Sequence, residues 1–498
     1  MNNDRSSLRR RSSNCLGTLS VILAPKDVLS IGESLFASMN ANLNKKTLLH
    51  YAFALNSVTK YSAHKLAPLT NKLVPFILND IESRLDNDAD DFDLQNELLD
   101  YYLSILDAFI KKTHKEITPH LPGLLEKLPR LVTYDPNCVI NFEKESDEDK
   151  GNEEGEEDEF WDDDDFDSED SSWRVRRGAI RLTETFIKLR PELLKDVTEN
   201  VIEQIVKCFK DKDTNIKLDV FSCLNVYLEG VTVSDKRNDD LHEDIIVEMV
   251  TLNRLKSTYK DIGSTIAYMI KQLTKLFKDP KNPNVAASQL LLNAARCIPS
   301  NMMEQWSIVF ATIQKNFNNP SNPAELRVNL LTALRRLLRA QFHKAYANIT
   351  NDYKEILAIV TEATTNSYFK ISSEGFRVLS TFLRVLRPSL KEDPVNYNAY
   401  VKPIVPTVIN RLKETDIDQE IKNAIISTVS VLISYFGDAI DSANLNLIFQ
   451  HLLTKLKSEV TRTQTLKALS NIPVTELKLQ INVKFSLLSN SLLIIVKT

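Results

Sequence analysis

The stretch "WRVRRGAIRLTETFIKL", residues 173–189, decides the fold. Val175, Ala179, Leu182, Phe186 and Leu189 recur at steps of four, three, four and three, which puts them on one face of a helix. The same spacing returns in "IKLDVFSCLNVYL" (Ile216, Val220, Leu224, Tyr227) and in "LRVNLLTALRRLL" (Leu326, Leu330, Leu334, Leu337). It returns again in "IDQEIKNAIISTVSVLISYF" (Ile421, Ile425, Val429, Leu432, Phe436). Ahead of these later stretches lie further amphipathic segments: "NVIEQIVKCF", "WSIVFATIQKNF" and "YVKPIVPTVINRL". The joints "KDKDTN", "NNPSNP" and "ETDID" supply the Asp, Asn, Thr and Pro that end one helix and cap the next.

Second helices of such pairs are expected to begin near residues 44, 92, 173, 215, 284, 324, 370, 418 and 460. Six of the eight intervals match, within a residue, the roughly 40–47-residue period of HEAT and armadillo arrays. Paired helices without a glycine-rich third helix favour HEAT. The expectation is an all-α HEAT-repeat α-solenoid, a superhelical arch of about nine helix pairs with uncapped ends. The two long intervals each hold an insertion. The segments are N-terminal repeats over 1–142, an acidic disordered insert at 143–170, repeats over 171–229, a second insert at 230–258 and C-terminal repeats over 259–498. The chain opens on a lone second helix and closes on a lone apolar first helix, "LQINVKFSLLSNSLLIIVKT", so a continuation or a companion chain is expected to complete the array.

Composition agrees. Ten glycines in 498 residues is roughly 2%, against about 7% in ordinary proteins, too few for folds built on tight turns and phosphate loops. The net charge of −5 conceals an asymmetry: residues 143–170 carry −16, and the remainder +11. A mildly basic body with one acidic insert suits a protein partner rather than nucleic acid. The five cysteines, Cys15, Cys138, Cys208, Cys223 and Cys297, share no metal-binding or redox spacing and read as buried free thiols in a reducing compartment. The Arg/Ser-rich start has the look of a targeting peptide. Against that, Leu8, Cys15, Leu16, Leu19 and Leu23 fit one helical face. No apolar tract approaches the ~20 residues of a membrane helix.

No phosphate-binding loop, dinucleotide fingerprint, zinc-protease helix or nucleophile elbow is present, so catalysis, cofactor and resident metal are not expected. The aspartates Asp162, Asp163, Asp164 and Asp165 lack calcium-loop spacing. What remains is surface. An insert that only links two helices needs about four residues, so this acidic run, ending at Trp173, reads as a partner-binding loop. HEAT arrays bind proteins along the face made by successive second helices. The candidates there are Trp173, Arg174, Arg176, Arg177, Lys217, Arg327, Lys370 and Lys422. The competing expectation is structural: these cations pair with the preceding turn, as Lys217 with Asp213, and Trp173 packs between helices.

Several strings then resemble a known family. "TYDPN", an acidic run and "SSWRVRRGAI" are similar to the middle of the cullin-associated, neddylation-dissociated (TATA-binding-protein-interacting, TIP) family. So are "DKDTNIKLDVFSCL", "SYFKISSEGFRVLSTFLRVLRP", "INRLKETDIDQEIKNAIISTVSVLI" and "LKSEVTRTQTLKALS", in the same order. The resemblance implies an internal portion of a long HEAT array that wraps an unneddylated cullin and its RING subunit, covers the modified lysine and serves SCF assembly and receptor exchange. It implies protein–protein contacts only, in cytoplasm and nucleus, with no membrane. In the family, C-terminal repeats and a projecting hairpin displace the adaptor, and this chain matches neither. Two other readings stay open: a nuclear transport receptor of the importin-β type, whose HEAT array also carries an acidic loop, and a truncated scaffold remnant.

Overall fold

The computed structural model describes residues 6–41, 44–86, 91–136, 171–231, 262–340, 347–387 and 397–472, and every regular element among them is helical. The helices form two compact units. The first holds α1 (Ser6–Leu19), α2 (Pro25–Met39), α3 (Lys45–Ser62), α4 (Thr70–Asp86), α5 (Phe92–Lys112), α6 (His114–Ile117), α7 (Leu121–Val132), α8 (Trp173–Leu189), α9 (Leu194–Asn200), α10 (Ile202–Lys207) and α11 (Thr214–Val231). Helix α12 (Ile262–Leu276) runs across the division between the units, at Gln272 and Leu273. The second holds α13 (Asn284–Cys297), α14 (Pro299–Glu304), α15 (Trp306–Phe317), α16 (Ala324–Ala340), α17 (Tyr353–Thr365), α18 (Phe369–Leu386), α19 (Asn398–Lys413), α20 (Gln419–Phe436), α21 (Ser442–Lys457) and α22 (Glu459–Asn471).

Each unit is built around one row of second helices. In the first, α1, α3, α5, α8 and α11 pack each on the next; in the second, α13, α16, α18, α20 and α22 do. The nine expected starts fall within one residue of those observed. Several helices of the array begin at a side chain that satisfies an orphan N–H group. Asn44 accepts from the Lys46 N–H, Asp91 from Leu94, Asp418 from Glu420 and Asp441 from Asn444, at 2.7–3.1 Å. The apolar residues of the repeating pattern are core: Val175, Ala179, Leu182 and Phe186 are fully buried, as are Ile216, Val220, Leu224 and Tyr227. Truncating one such leucine to alanine costs about 2–5 kcal/mol. Leu189, the last of the opening pattern, is 40% exposed, because α8 ends there.

The N-terminal helix corrects one expectation. Leu8 and Leu19 are 39% and 44% exposed, and Cys15 is exposed too. The buried face is instead Ser13, Gly17 and Ser20. The reason is close approach: a Cβ at Gly17 would stand 2.3 Å from the Ser57 carbonyl oxygen on α3, so only small residues fit. Ser20 Oγ donates to Ser62 Oγ at 2.9 Å, and Lys65 Nζ binds the carbonyls of Ser20, Val21 and Leu23 just past the helix. Cys208, Cys223 and Cys297 are buried free thiols, and burial pushes the first two well above the ordinary thiol range. Cys138, both inserts (143–170, and 230–258 beyond Val231) and the C-terminal apolar segment lie outside the described residues.

Candidate functional site

Along the second-helix row of the first unit runs a groove of about 700 Å³, lined by α1, α3, α5 and α8. Helix α5 contributes Glu97, Asp100, Tyr101, Ser104 and Asp107, spaced so that all share one face. Helix α8 contributes Trp173, Arg174, Arg177 and Arg181 by the same spacing. Gly178 lets the two helices close: a Cβ there would lie 3.1 Å from the Leu103 methyl and 3.6 Å from an Asp100 oxygen. The Arg174 guanidinium sits 5.5 Å from the Trp173 ring, within cation–π range. Trp173 is half-buried, both packed and open to the groove.

Most of these charges are already engaged. Arg177 and Arg181 both donate to Asp219 on α11, at 2.7 and 3.0 Å. Arg10 pairs with Glu97 at 3.0 Å, and the Tyr101 hydroxyl donates to the same carboxylate. Asp100 is held above the ordinary carboxyl range, first by burial and then by Glu97, against the pull of Arg174, Arg181 and Arg177. The groove therefore offers an aromatic wall, the exposed arginines Arg10, Arg174 and Arg181, and a weakened acid. Both charge signs are displayed along it.

The sequence candidates separate. Trp173, Arg174 and Arg177 meet in this groove, whereas Arg176 does not. It is 2% exposed and donates to Asp211 at 2.8 Å, to the Tyr134 carbonyl at 3.0 Å and to Ser172 Oγ at 2.6 Å. Arg176 is an internal clamp that joins the chain after α7, the start of α8 and the joint before α11. Lys217 stands half-exposed on α11. The Asp213 carboxylate accepts from the Asn215 N–H at 2.7 Å, at the helix start. In the second unit, Arg327 is engaged, with Glu362 at 2.7 Å and the Phe317 ring at 4.6 Å. Lys370 is exposed beside Phe369, and Lys422 is half-buried on α20. Asp162, Asp163, Asp164 and Asp165 lie outside the described residues. Sequence reasoning missed Arg10, Glu97, Asp100, Tyr101 and Arg181. The signal was the acidic face of α5, legible once α5 is known to neighbour α8. Among the described residues, no group of three or more His, Cys, Asp or Glu is arranged to hold a metal ion. No helix there is long and apolar enough to cross a membrane.

Helix pairs at a period near forty residues, stacked within each unit through a row of second helices, define a HEAT-type α-solenoid. An engineered protein of known crystal structure superposes at TM-score 0.53 and 14% identity, over 95% of this chain and 97% of that one, a likeness of fold alone. A family model described as "CAND1-like, TPR repeats" matches residues 300–429. The chain is similar over nearly all its length to the cullin-associated NEDD8-dissociated proteins, as its sequence strings imply. It is 24% identical over 484 residues to protein 1 of Drosophila melanogaster, covering 96% of this chain and 37% of the relative. It is 23% identical over 482 residues to protein 1 of Arabidopsis thaliana, again 96% and 37%. To protein 2 of Mus musculus it is 25% identical over 496 residues, 97% and 37%. The chain thus spans little more than a third of the length of these relatives.

Proposed function

We propose that this chain is a non-catalytic regulator of cullin–RING ubiquitin ligases, acting in cytoplasm and nucleus. It binds a cullin that lacks its ubiquitin-like modifier and serves SCF complex assembly and substrate-receptor exchange. The observation that carries the reading is the collinear similarity to cullin-associated proteins over 96% of the chain. The Trp173–Arg174 groove supports it, as a surface that takes polypeptide rather than a small substrate. The acidic insert at 143–170 acts on the same partner, reaching a basic patch or tuning access to the groove.

The test is gel filtration of the purified chain with a cullin–RING complex, unmodified or carrying NEDD8. Co-elution with the unmodified form alone is expected. Failure to co-elute with either form overturns the reading, and binding to a GTP-loaded transport GTPase would replace it with a transport receptor. Deleting residues 143–170 is expected to flatten the salt dependence of cullin binding.

A further inference from the structure

The second unit has a different groove, of about 320 Å³, on its own second-helix row. Arg335 and Arg339 come from α16, one turn apart, and Arg377 and Arg384 from α18, two turns apart. Beyond them, Ser427 on α20 and Gln464 on α22 continue the polar floor, with Gln464 donating to Ser427 at 2.6 Å. Four of the five helices of the row, α16, α18, α20 and α22, thus turn polar side chains to one channel, and its charged lining is guanidinium alone.

Two of the arginines are fixed in place from below. Glu374, whose side chain is 5% exposed, accepts from Arg335 Nε at 2.6 Å and from Arg377 at 3.1 Å, and Glu420 accepts from Arg377 at 2.7 Å. Among the described residues Arg335 donates only through Nε, so its two terminal NH2 groups are left for a ligand. Arg384 is exposed, and no carboxylate among the described residues lies within ion-pair distance of it. A planar guanidinium held by one edge and open at the other is preorganised for bidentate carboxylate binding.

We propose that this arginine groove binds a glutamate- or aspartate-rich segment of a partner protein, laid across α16, α18 and α20. Arg335 is the rigid anchor, Arg377 is held through both terminal nitrogens by Glu374 and Glu420, and Arg384 supplies the uncompensated charge that selects acidic sequence. The inference goes beyond the cullin reading, and its test uses no cullin, so either can fail alone.

The probe is a fluorescein-labelled oligo-glutamate peptide titrated with the full chain at low and at moderate salt. Anisotropy is expected to show binding that weakens with salt and exceeds that of oligo-glutamine. Arg384→Glu removes one exposed pairing and adds a repulsion of similar size, so about fivefold weaker binding is expected. Lys26→Glu, an equal charge change on exposed α2, is expected to leave binding unchanged. Circular dichroism checks that both variants fold. Equal binding of oligo-glutamine, equal losses from the two variants, or full binding by Arg384→Glu would overturn the proposal. Tighter binding of an otherwise neutral phosphoserine peptide would reassign the groove from carboxylate to phosphate.

Discussion

The two grooves lie on equivalent helix rows, yet they place their carboxylates differently. In the first unit Glu97, Asp100 and Asp107 stand in the groove beside the arginines of α8. In the second, Glu374 lies beneath Arg335 and Arg377 and is almost wholly hidden. The first groove is lined by both signs and the second by arginine alone, with the half-exposed Glu420 beside Arg377. Repeat packing therefore fixes where side chains stand, while the depth of the acid decides what a partner meets.

Depth can be tested where it matters most. Arg176 and Arg387 are both buried arginines, each bound to a backbone carbonyl and an aspartate. Asp211, the partner of Arg176, is fully buried; Asp438, the partner of Arg387, is about a third exposed. Arg176→Met strands a buried charge and is expected to cost roughly 3–5 kcal/mol in urea unfolding. Arg387→Met leaves Asp438 to water and is expected to cost about 1.5–3 kcal/mol. A larger loss at Arg387 would break the comparison.

Smaller effects are expected at the glycines between helices. A Cβ at Gly375 would meet Ala363 and Thr364, including backbone atoms at 2.9 Å, and one at Gly17 meets the Ser57 backbone. Each Gly→Ala change is expected to cost about 1–3 kcal/mol, because backbone cannot step aside. At Gly178 the obstacle is a leucine methyl at 3.1 Å. There the helix gain of about 0.5–1 kcal/mol offsets the crowding, so near-neutral thermal stability sharpens the contrast.

The smallest effect is a pH dependence. Asp100 has a raised pKa in the folded chain, chiefly through burial, so the folded state holds its proton more tightly than the unfolded state does. Its contribution is favourable below the ordinary value near 3.8 and is lost as pH rises through the raised value. Asp100→Asn is therefore expected to stabilise the chain slightly at neutral pH, an advantage that vanishes in acid. Urea midpoints across that range check it, and destabilisation at neutral pH would mean that the arginines of α8 outweigh burial.

The helix pairs were legible because several joints write a cap and each core face repeats at three and four residues. Asp91, Asp418 and the Val175–Phe186 face needed no tertiary knowledge. Helix α1 failed because close packing selects small residues, and Ser13, Gly17 and Ser20 do not look like a core face in sequence. Arg176 failed for a related reason. Next to Arg174 and Arg177 it reads as one more surface cation, and only the fold shows that its three partners converge. Ion pairs also run between repeats. Arg177 with Asp219, Arg335 with Glu374 and Arg377 with Glu420 are each about forty residues apart, a distance that no local pattern reveals.

The Arg176 clamp also bears on how such a chain changes over generations. One guanidinium holds Tyr134 and Ser172 together, so the chain leaves and re-enters the stack through a single doorway. The clamp thus fixes both ends of the connection that spans residues 135–171. By loop-closure entropy, each doubling of its length costs only about 0.6 kcal/mol. A longer connection therefore costs the stack little so long as the Arg176 clamp is kept.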